Sequence, residues 1–279
     1  MRKFGAFFLS VIGIVPVACL VLSSCAPAVK KDSIQVHVIN VGYGDSILIK
    51  FPDHTNLLID SGTKEAAQAV IDYLRSQGVE TIDKMVATHQ HRDHFGGFST
   101  IIDAFPVEKF YYNGDEKGAH EGYTELLDKV KKRQIPMALL GRDQSIPFDN
   151  PDIRLKVLNP PDHSGSINNN ALVLWLTYGR TGFLFTADVE EVRQDDILKL
   201  YPELKKVNCV QVPHHGKSVS PYFADFFRDK IFFVSAGFYR GKPISVEFLD
   251  RLRGTVLRTD IHGTIVIESD GNKVSVLKP

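Results

Sequence analysis

The sequence predicts a mixed α/β domain built in layers. Three observations carry this. Short strand-like runs alternate with helical apolar stripes from Ile34 to the C-terminus. The order of elements in the first half is echoed in the second, which suggests two sheets packed face to face with helices outside. There is no low-complexity segment, short repeat or obvious interdomain linker, so the 279 residues read as one large domain after a distinct N-terminus. Periodicity by itself supports only a mixed α/β layer architecture.

The elements follow in order. Ile34 to Ile39 alternates as a strand, and Ser46 to Phe51 and Asn56 to Ile59 are two more, joined by Pro52-Asp53-His54-Thr55. Lys64 to Gln77 carries apolar residues at Ala66, Ala67, Val70, Ile71 and Leu74, a helical stripe that Gly78 stops. Asp83 to Thr88 is a short buried strand, and Phe95 to Ile102 can start a helix. Val107 to Tyr112 reads as strand and His120 to Arg133 as helix, its last turn rich in Lys and Arg, where cations suit the helix dipole. Met137 to Leu140, Gln144 to Phe148 and Ile153 to Leu158 are short strands. Ala171 to Tyr178 and Gly182 to Thr186 form a hairpin around Gly179-Arg180-Thr181. Glu190 to Leu200, Pro221 to Arg228 and Val246 to Arg253 are helical, between strands at Val207 to Val212 and Ile231 to Ala236. Val256 to Arg258, Thr264 to Ile267 and Val274 to Leu277 finish the sheet. His37 and His54 lack ligand neighbours and read as structural or surface residues.

The N-terminus differs. Arg2 and Lys3 precede an uncharged run from Phe4 to Leu22, a signal-peptide pattern. Leu22-Ser23-Ser24-Cys25 resembles the bacterial lipobox, so residues 1–24 are expected to be removed, Cys25 to be lipidated, and residues up to Ser33 to form a tether ahead of a 34–279 domain. Several acyl chains give stable anchoring to a membrane on its exported side. An uncleaved anchor or a cleaved soluble form are the alternatives. Cleavage removes Arg2 and Lys3 from 33 basic residues and none of the 33 acidic ones, leaving −2. Neither that nor the formal zero of the whole chain marks a strongly nucleic-acid-seeking surface. Of three cysteines only Cys209 remains available, in an apolar run that reads as a buried strand, so it is expected to be a structural thiol.

The chemistry is concentrated in His89-Gln90-His91-Arg92-Asp93-His94-Phe95-Gly96-Gly97. Three imidazoles and a carboxylate, the residue types that bind zinc and similar divalent ions, lie on a turn leaving a rigid strand. His89 and His91 alternate and can point the same way. Asp93 and His94 are adjacent and diverge, which suits two ions side by side.

This run resembles the metal-binding signature of the metallo-β-lactamase superfamily. Val41 to Ser46, Asp60-Ser61-Gly62, Asn168-Asn169-Asn170, Phe185 to Asp188, Val212 to Lys217 and Arg258 to Gly263, in that order, are similar to the hydrolase domain of ComEC-type DNA-uptake proteins. The resemblance implies a four-layer αββα sandwich and two divalent ions, zinc by ligand type with manganese the alternative. It implies a first ion on His89, His91 and Asp188, completed by Asn169 or water. The second would take Asp93, His94, a bridging Asp188 and one of His214 and His215. Adjacent imidazoles diverge; His215 is the preferred ligand, with His214 facing substrate as a catalytic group beside Asp93. Asp45 and Asp60 would brace the histidine loop by accepting from ligand N–H groups, as would Asp260 and His262. Two departures stand out. Many members carry a further histidine where this chain has the asparagine triplet, His163 in turn-like sequence being the nearest histidine. ComEC-type domains often have Asp where this chain has His91.

The implied activity is metal-assisted hydrolysis of a phosphodiester, DNA included. Alternatives are a lactamase, lactonase or choline-phosphate esterase, a non-catalytic surface module that binds DNA or a transporter, and a partner of a separate membrane channel. Lys217, Arg240 and Lys242 can line a phosphate site.

Overall fold

The computed structural model describes Met1 and residues 32–239, 242–243 and 247–278. The expected signal segment, Cys25 and most of the tether lie outside the described residues, as does Arg240. Among the described residues no helix is long and apolar enough to cross a membrane.

The first half runs β1 (Ile34–Val38), β2 (Ile47–Lys50), β3 (Asn56–Ile59), α1 (Ala67–Ser76), β4 (Lys84–Ala87), α2 (Arg92–Phe95), α3 (Phe98–Ala104), β5 (Phe110–Tyr112), α4 (Glu121–Lys132) and β6 (Met137–Leu139). The second half runs β7 (Ser145–Ile146), β8 (Ile153–Asn159), β9 (Val173–Tyr178), β10 (Thr181–Phe185), α5 (Glu191–Leu200), β11 (Cys209–Gln211), α6 (Pro221–Phe226) and β12 (Lys230–Val234). A small hairpin, β13 (Phe238–Tyr239) and β14 (Lys242–Pro243), precedes β15 (Gly254–Arg258), α7 (Thr259–His262), β16 (Ile265–Ser269) and β17 (Val274–Lys278). One sheet has eight strands in the order β17-β16-β1-β2-β3-β4-β5-β6, the other seven in the order β15-β12-β11-β10-β9-β8-β7.

Three apolar clusters define the layers. Between the sheets lie Val36, Ile49, Leu57 and Val86 from one and Leu155, Leu174, Phe183 and Phe233 from the other. Outside the first sheet, Leu58, Met85 and Phe110 meet Val70 and Leu74 of α1, Phe98 of α3 and Leu126 of α4. Outside the second, Leu184, Val210 and Phe232 meet Ile197 of α5 and Phe223 of α6. Neighbours such as Leu57 and Leu58, or Phe232 and Phe233, enter opposite clusters because strand side chains alternate between faces. Both faces are covered, so these strands read as unbroken apolar runs. The result is an αββα sandwich.

The last three strands do not finish one sheet. β15 pairs with β12, whereas β16 crosses back and pairs antiparallel with β1, Val36 opposite Ile267. Ile265 and Ile267 are thereby buried in the inter-sheet core, and β17 becomes the edge. The expected helix over Val246 to Arg253 is a 3-10 turn at Glu247–Arg251.

Candidate metal centre

The site lies where strands of the two sheets end. β3 and β4 run parallel in one sheet and β10 and β11 in the other, and each C-terminal end delivers polar groups. Asp60 follows β3, His89 and His91 follow β4, Asp93 and His94 lie on α2, Asp188 follows β10, and His214 and His215 follow β11. The turns are tight. Asp60, Ala187, His214 and His215 all have positive φ (56°, 47°, 50° and 55°), costly backbone that surrounding contacts must hold. Gln211 supplies one such contact: its Oε1 accepts from the Thr186 and Ala187 amides, and its Nε2 donates to Asp45 Oδ2 at 2.7 Å.

Ligand-type atoms of Asp93, His94, Asp188 and His215 lie within 4.8 Å of one another, as do those of His89, His91 and Asp188. Asp188 belongs to both groups. Its Oδ2 is 3.3 Å from His94 Nε2 and 3.9 Å from His89 Nε2, and its Oδ1 is 3.6 Å from His215 Nε2. Asp93 Oδ2 is 3.3 Å from His215 Nε2 and 3.8 Å from His94 Nε2.

The surrounding hydrogen bonds fix which ring nitrogen is available. His94 Nδ1 is 2.8 Å from Asp60 Oδ2, so Nδ1–H donates there and Nε2 faces the cluster. His215 Nδ1 donates to the Ser235 carbonyl at 3.2 Å, again leaving Nε2. The Thr88 hydroxyl donates to Asp60 at 2.7 Å and so accepts from His89 Nδ1 at 3.0 Å. His89 Nε2 then presents a lone pair 3.1 Å from His91 Nδ1. Among the described residues, His94 Nε2, His215 Nε2 and Asp188 Oδ1 are buried and make no well-formed hydrogen bond, only the 3.3–3.6 Å approaches between the rings and the carboxylates. Stranded buried polar atoms are expensive, and three of them converging, two imidazole nitrogens and a carboxylate oxygen, are the donor set a divalent ion takes. The residues therefore fit the implied metals.

The electrostatics agree. Burial alone would lower His215, but Asp188, Asp45 and Asp93 outweigh it and push the ring up to about 9. His94 is likewise raised well above the ordinary imidazole range, the carboxylates of Asp188, Asp60 and Asp93 overcoming burial. Burial and the neighbouring His94 drive His89 far down. The carboxylates thus draw positive charge into a buried space. Burial also lowers His214, with Asp188 opposing.

The remaining expected residues are placed as follows. His214 is on the cleft wall, its side chain 22% exposed and Nε2 3.7 Å from Asp188 Oδ2. Asp45 and Asp60 lie behind the histidines, Asp60 accepting from the Thr88 amide, the Thr88 hydroxyl and His94. Asn169 is not directed at the ions' side. Its Oδ1 accepts from the Glu190 amide and its Nδ2 donates to Glu190 Oε2, so both ends are engaged. Asn168 Nδ2 also donates to Glu190, at 3.3 Å, while its Oδ1 is buried with no hydrogen-bond partner among the described residues; the Asn168 amide opposes in part the burial that lowers His91. His163 Nε2 bonds the Asn113 carbonyl at 2.7 Å, away from both groups. Asp260 pairs with Arg258, and His262 Nδ1 meets the Arg258 backbone, so these brace their own turn rather than the histidine loop. Cys209 is buried between the sheets, where desolvation raises its thiol. Sequence reading overlooked Thr88, Gln211 and Ser235. A polar Gln between Val210 and Val212 is the signal that was available.

The profile of the metallo-beta-lactamase superfamily matches residues 39–224, which span every residue of both clusters. The chain belongs to the metallo-β-lactamase superfamily. Within it, "ComE operon protein 3" of Bacillus subtilis (strain 168) is 25% identical over 83% of this chain and 32% of that protein. "Competence protein ComA" of Neisseria gonorrhoeae is 26% identical over 91% of this chain and 36% of that protein. The chain thus spans about a third of the length of these curated relatives. Among solved structures, a diphosphatase from the PhnP family superposes with a TM-score of 0.50 at 17% identity, covering 85% of this chain and 98% of that one. The diiron β-hydroxylase CmlA from Streptomyces venezuelae gives a TM-score of 0.57 at 12% identity, over 88% of this chain and 54% of that one. These two share the fold.

Proposed function

We propose that this metallo-β-lactamase-superfamily hydrolase cleaves phosphodiesters, with DNA the substrate suggested by its competence relatives. The observation that carries the proposal is Asp188, buried and common to two adjacent groups of ligand-type atoms. His89, His91 and Asp188 would hold one divalent ion, and Asp93, His94, Asp188 and His215 the other, with zinc expected from the ligand types and manganese the alternative. A pair of such ions acidifies water and neutralises charge on the attacking and leaving oxygens of a phosphate ester.

The chain's own groups do the rest. Asp60 fixes the ring of His94, and Ser235 that of His215. Asp93 lines the cleft and would accept the proton of the attacking water. Burial favours the neutral form of His214, and a neutral imidazole still carries one N–H, which it would donate to a substrate oxygen. The cleft, about 810 Å³, runs from His214 and Asp188 past Arg92 to Glu125 and has room for an extended substrate. Lipid anchoring through Cys25 would put this activity at the cell envelope.

The test is metal analysis of residues 26–279 followed by assays with bis(p-nitrophenyl) phosphate, single-stranded DNA and a chromogenic β-lactam. Two divalent ions per chain and phosphodiester turnover are expected. Turnover of the lactam alone would overturn the proposal.

A further inference from the structure

We infer that Tyr43 and Lys217 form an anion clamp at the mouth of the metal centre, which selects a phosphate ester over a neutral ester or lactam. The inference rests on the phosphodiesterase reading and names what in the chain enforces it. Tyr43 shares the cleft wall with His91, Asp93, Asp188 and His214. Its ring stands 5.1 Å from that of His215, tilted by 48°. Lys217 Nζ donates to the Tyr43 hydroxyl at 2.8 Å. Both side chains are half-buried, and among the described residues no carboxylate lies within ion-pair reach of the ammonium.

The chemistry follows from the donor count. An ammonium has three donors and no acceptor, so it occupies a lone pair of the phenolic oxygen. That polarises the hydroxyl and directs its proton away from Lys217, and Tyr43 itself lines the cleft. A hydrogen bond from a polarised hydroxyl to an anionic oxygen is stronger than one to a neutral carbonyl. The ammonium adds net positive charge behind it, which an anionic phosphate gains from and a neutral acyl centre does not. The cleft also carries the carboxylates of Glu65, Glu121 and Glu125 besides those of Asp93 and Asp188, and none of these attracts an anion, so they do not supply this discrimination.

The backbone holds the clamp in place. The Gly42 amide donates to Asn40 Oδ1, the Asn40 amide to Thr264 Oγ1, and the Asp45 amide to the Asp93 carbonyl. Tyr43 is therefore tied to the loop that carries the ligand-type residues, and Lys217 sits two positions beyond His215. In this arrangement Tyr43 touches substrate, and Lys217 acts through it as a positioning residue.

The experiment uses the metal-loaded chain and the variants Tyr43→Phe, Lys217→Met and Lys217→Arg. Metal content is measured first, then inorganic phosphate affinity by calorimetry, then kcat/KM for bis(p-nitrophenyl) phosphate and for neutral p-nitrophenyl acetate. Tyr43→Phe and Lys217→Met should keep their metal, bind phosphate roughly 10-fold more weakly and lose roughly 10–100-fold in kcat/KM for the diester, with the neutral ester unaffected. Lys217→Arg, which keeps charge and donors, should restore most of the loss. Unchanged phosphate affinity in both variants, an equal fall with both substrates, or loss of metal would each overturn the clamp. A wild-type chain that cleaves no diester would sink the phosphodiesterase reading instead, and the phosphate titration would then decide the clamp by itself.

Discussion

His214 and His215 are neighbours in sequence with opposite environments. Both have left-handed backbone, φ 50° and 55°, so the chain turns sharply and sends one ring inward to Asp93 and Asp188 and the other to the cleft. The buried ring, whose Nε2 faces the carboxylates of Asp93 and Asp188, is the one suited to hold an ion. His215→Ala should therefore lower bound metal from about two ions per chain toward one. His214→Ala should keep both and lose kcat/KM by roughly 10²–10⁴-fold if its N–H assists the leaving group. Metal analysis and kinetics on each variant decide the division, and equal metal loss in both would end it. The histidine run and the two bracing aspartates were legible because their residue types are rare in such spacing. The roles of Asn168 and Asn169 were not legible, because both amides donate to Glu190, a residue that only the fold brings near.

At the level of elements, the site depends on loops pressed together more closely than side chains allow. Gly44 has φ +115°, and a Cβ there would lie 2.1 Å from the Asp93 carbonyl oxygen. Gly97 has no left-handed requirement, but a Cβ would lie 2.5 Å from the Ser61 carbonyl oxygen, and its amide donates to Ser61 Oγ. These two contacts press α2, with Asp93 and His94, onto the ends of β2 and β3. Gly44→Ala combines a disfavoured backbone with a clash against backbone that cannot swing aside. It should cost about 2–4 kcal/mol in urea unfolding and displace Asp93 enough to weaken metal binding. A variant with wild-type midpoint and metal content would show that the loop has slack. The long helices and the buried strands were legible from their stripes and runs. The left-handed turn at His214 and His215 and the 3-10 turn before β15 were not, since they are set by packing rather than period. Nor was the return of β16 to β1, because strand partners across more than two hundred residues leave no local pattern.

Across the whole molecule, the two sheets meet at the metal centre as well as in the apolar core. His89, His91, Asp93 and His94 come from the side of the first sheet, and Asp188 and His215 from the second. The bond between Gln211 and Asp45 joins them directly. Bound ions would therefore tie one half of the sandwich to the other, and would also neutralise carboxylates and stranded nitrogens that burial penalises. Because such ions bind only the folded arrangement, saturating them adds folding free energy by mass action, roughly 2.7 kcal/mol for each site filled at one hundred times its dissociation constant. Chelation should then lower the thermal midpoint of the wild-type chain by several degrees, and re-addition of zinc or manganese should restore it. His215→Ala, left with the group formed by His89, His91 and Asp188, should show a smaller chelator-induced shift than wild type, and His214→Ala an undiminished one. Calorimetric melts of the three proteins with and without chelator make the comparison. An identical midpoint for the wild type in both conditions would mean that the ions contribute nothing to holding the sheets together, and that the apolar core between Val36 and Phe233 carries the association without them.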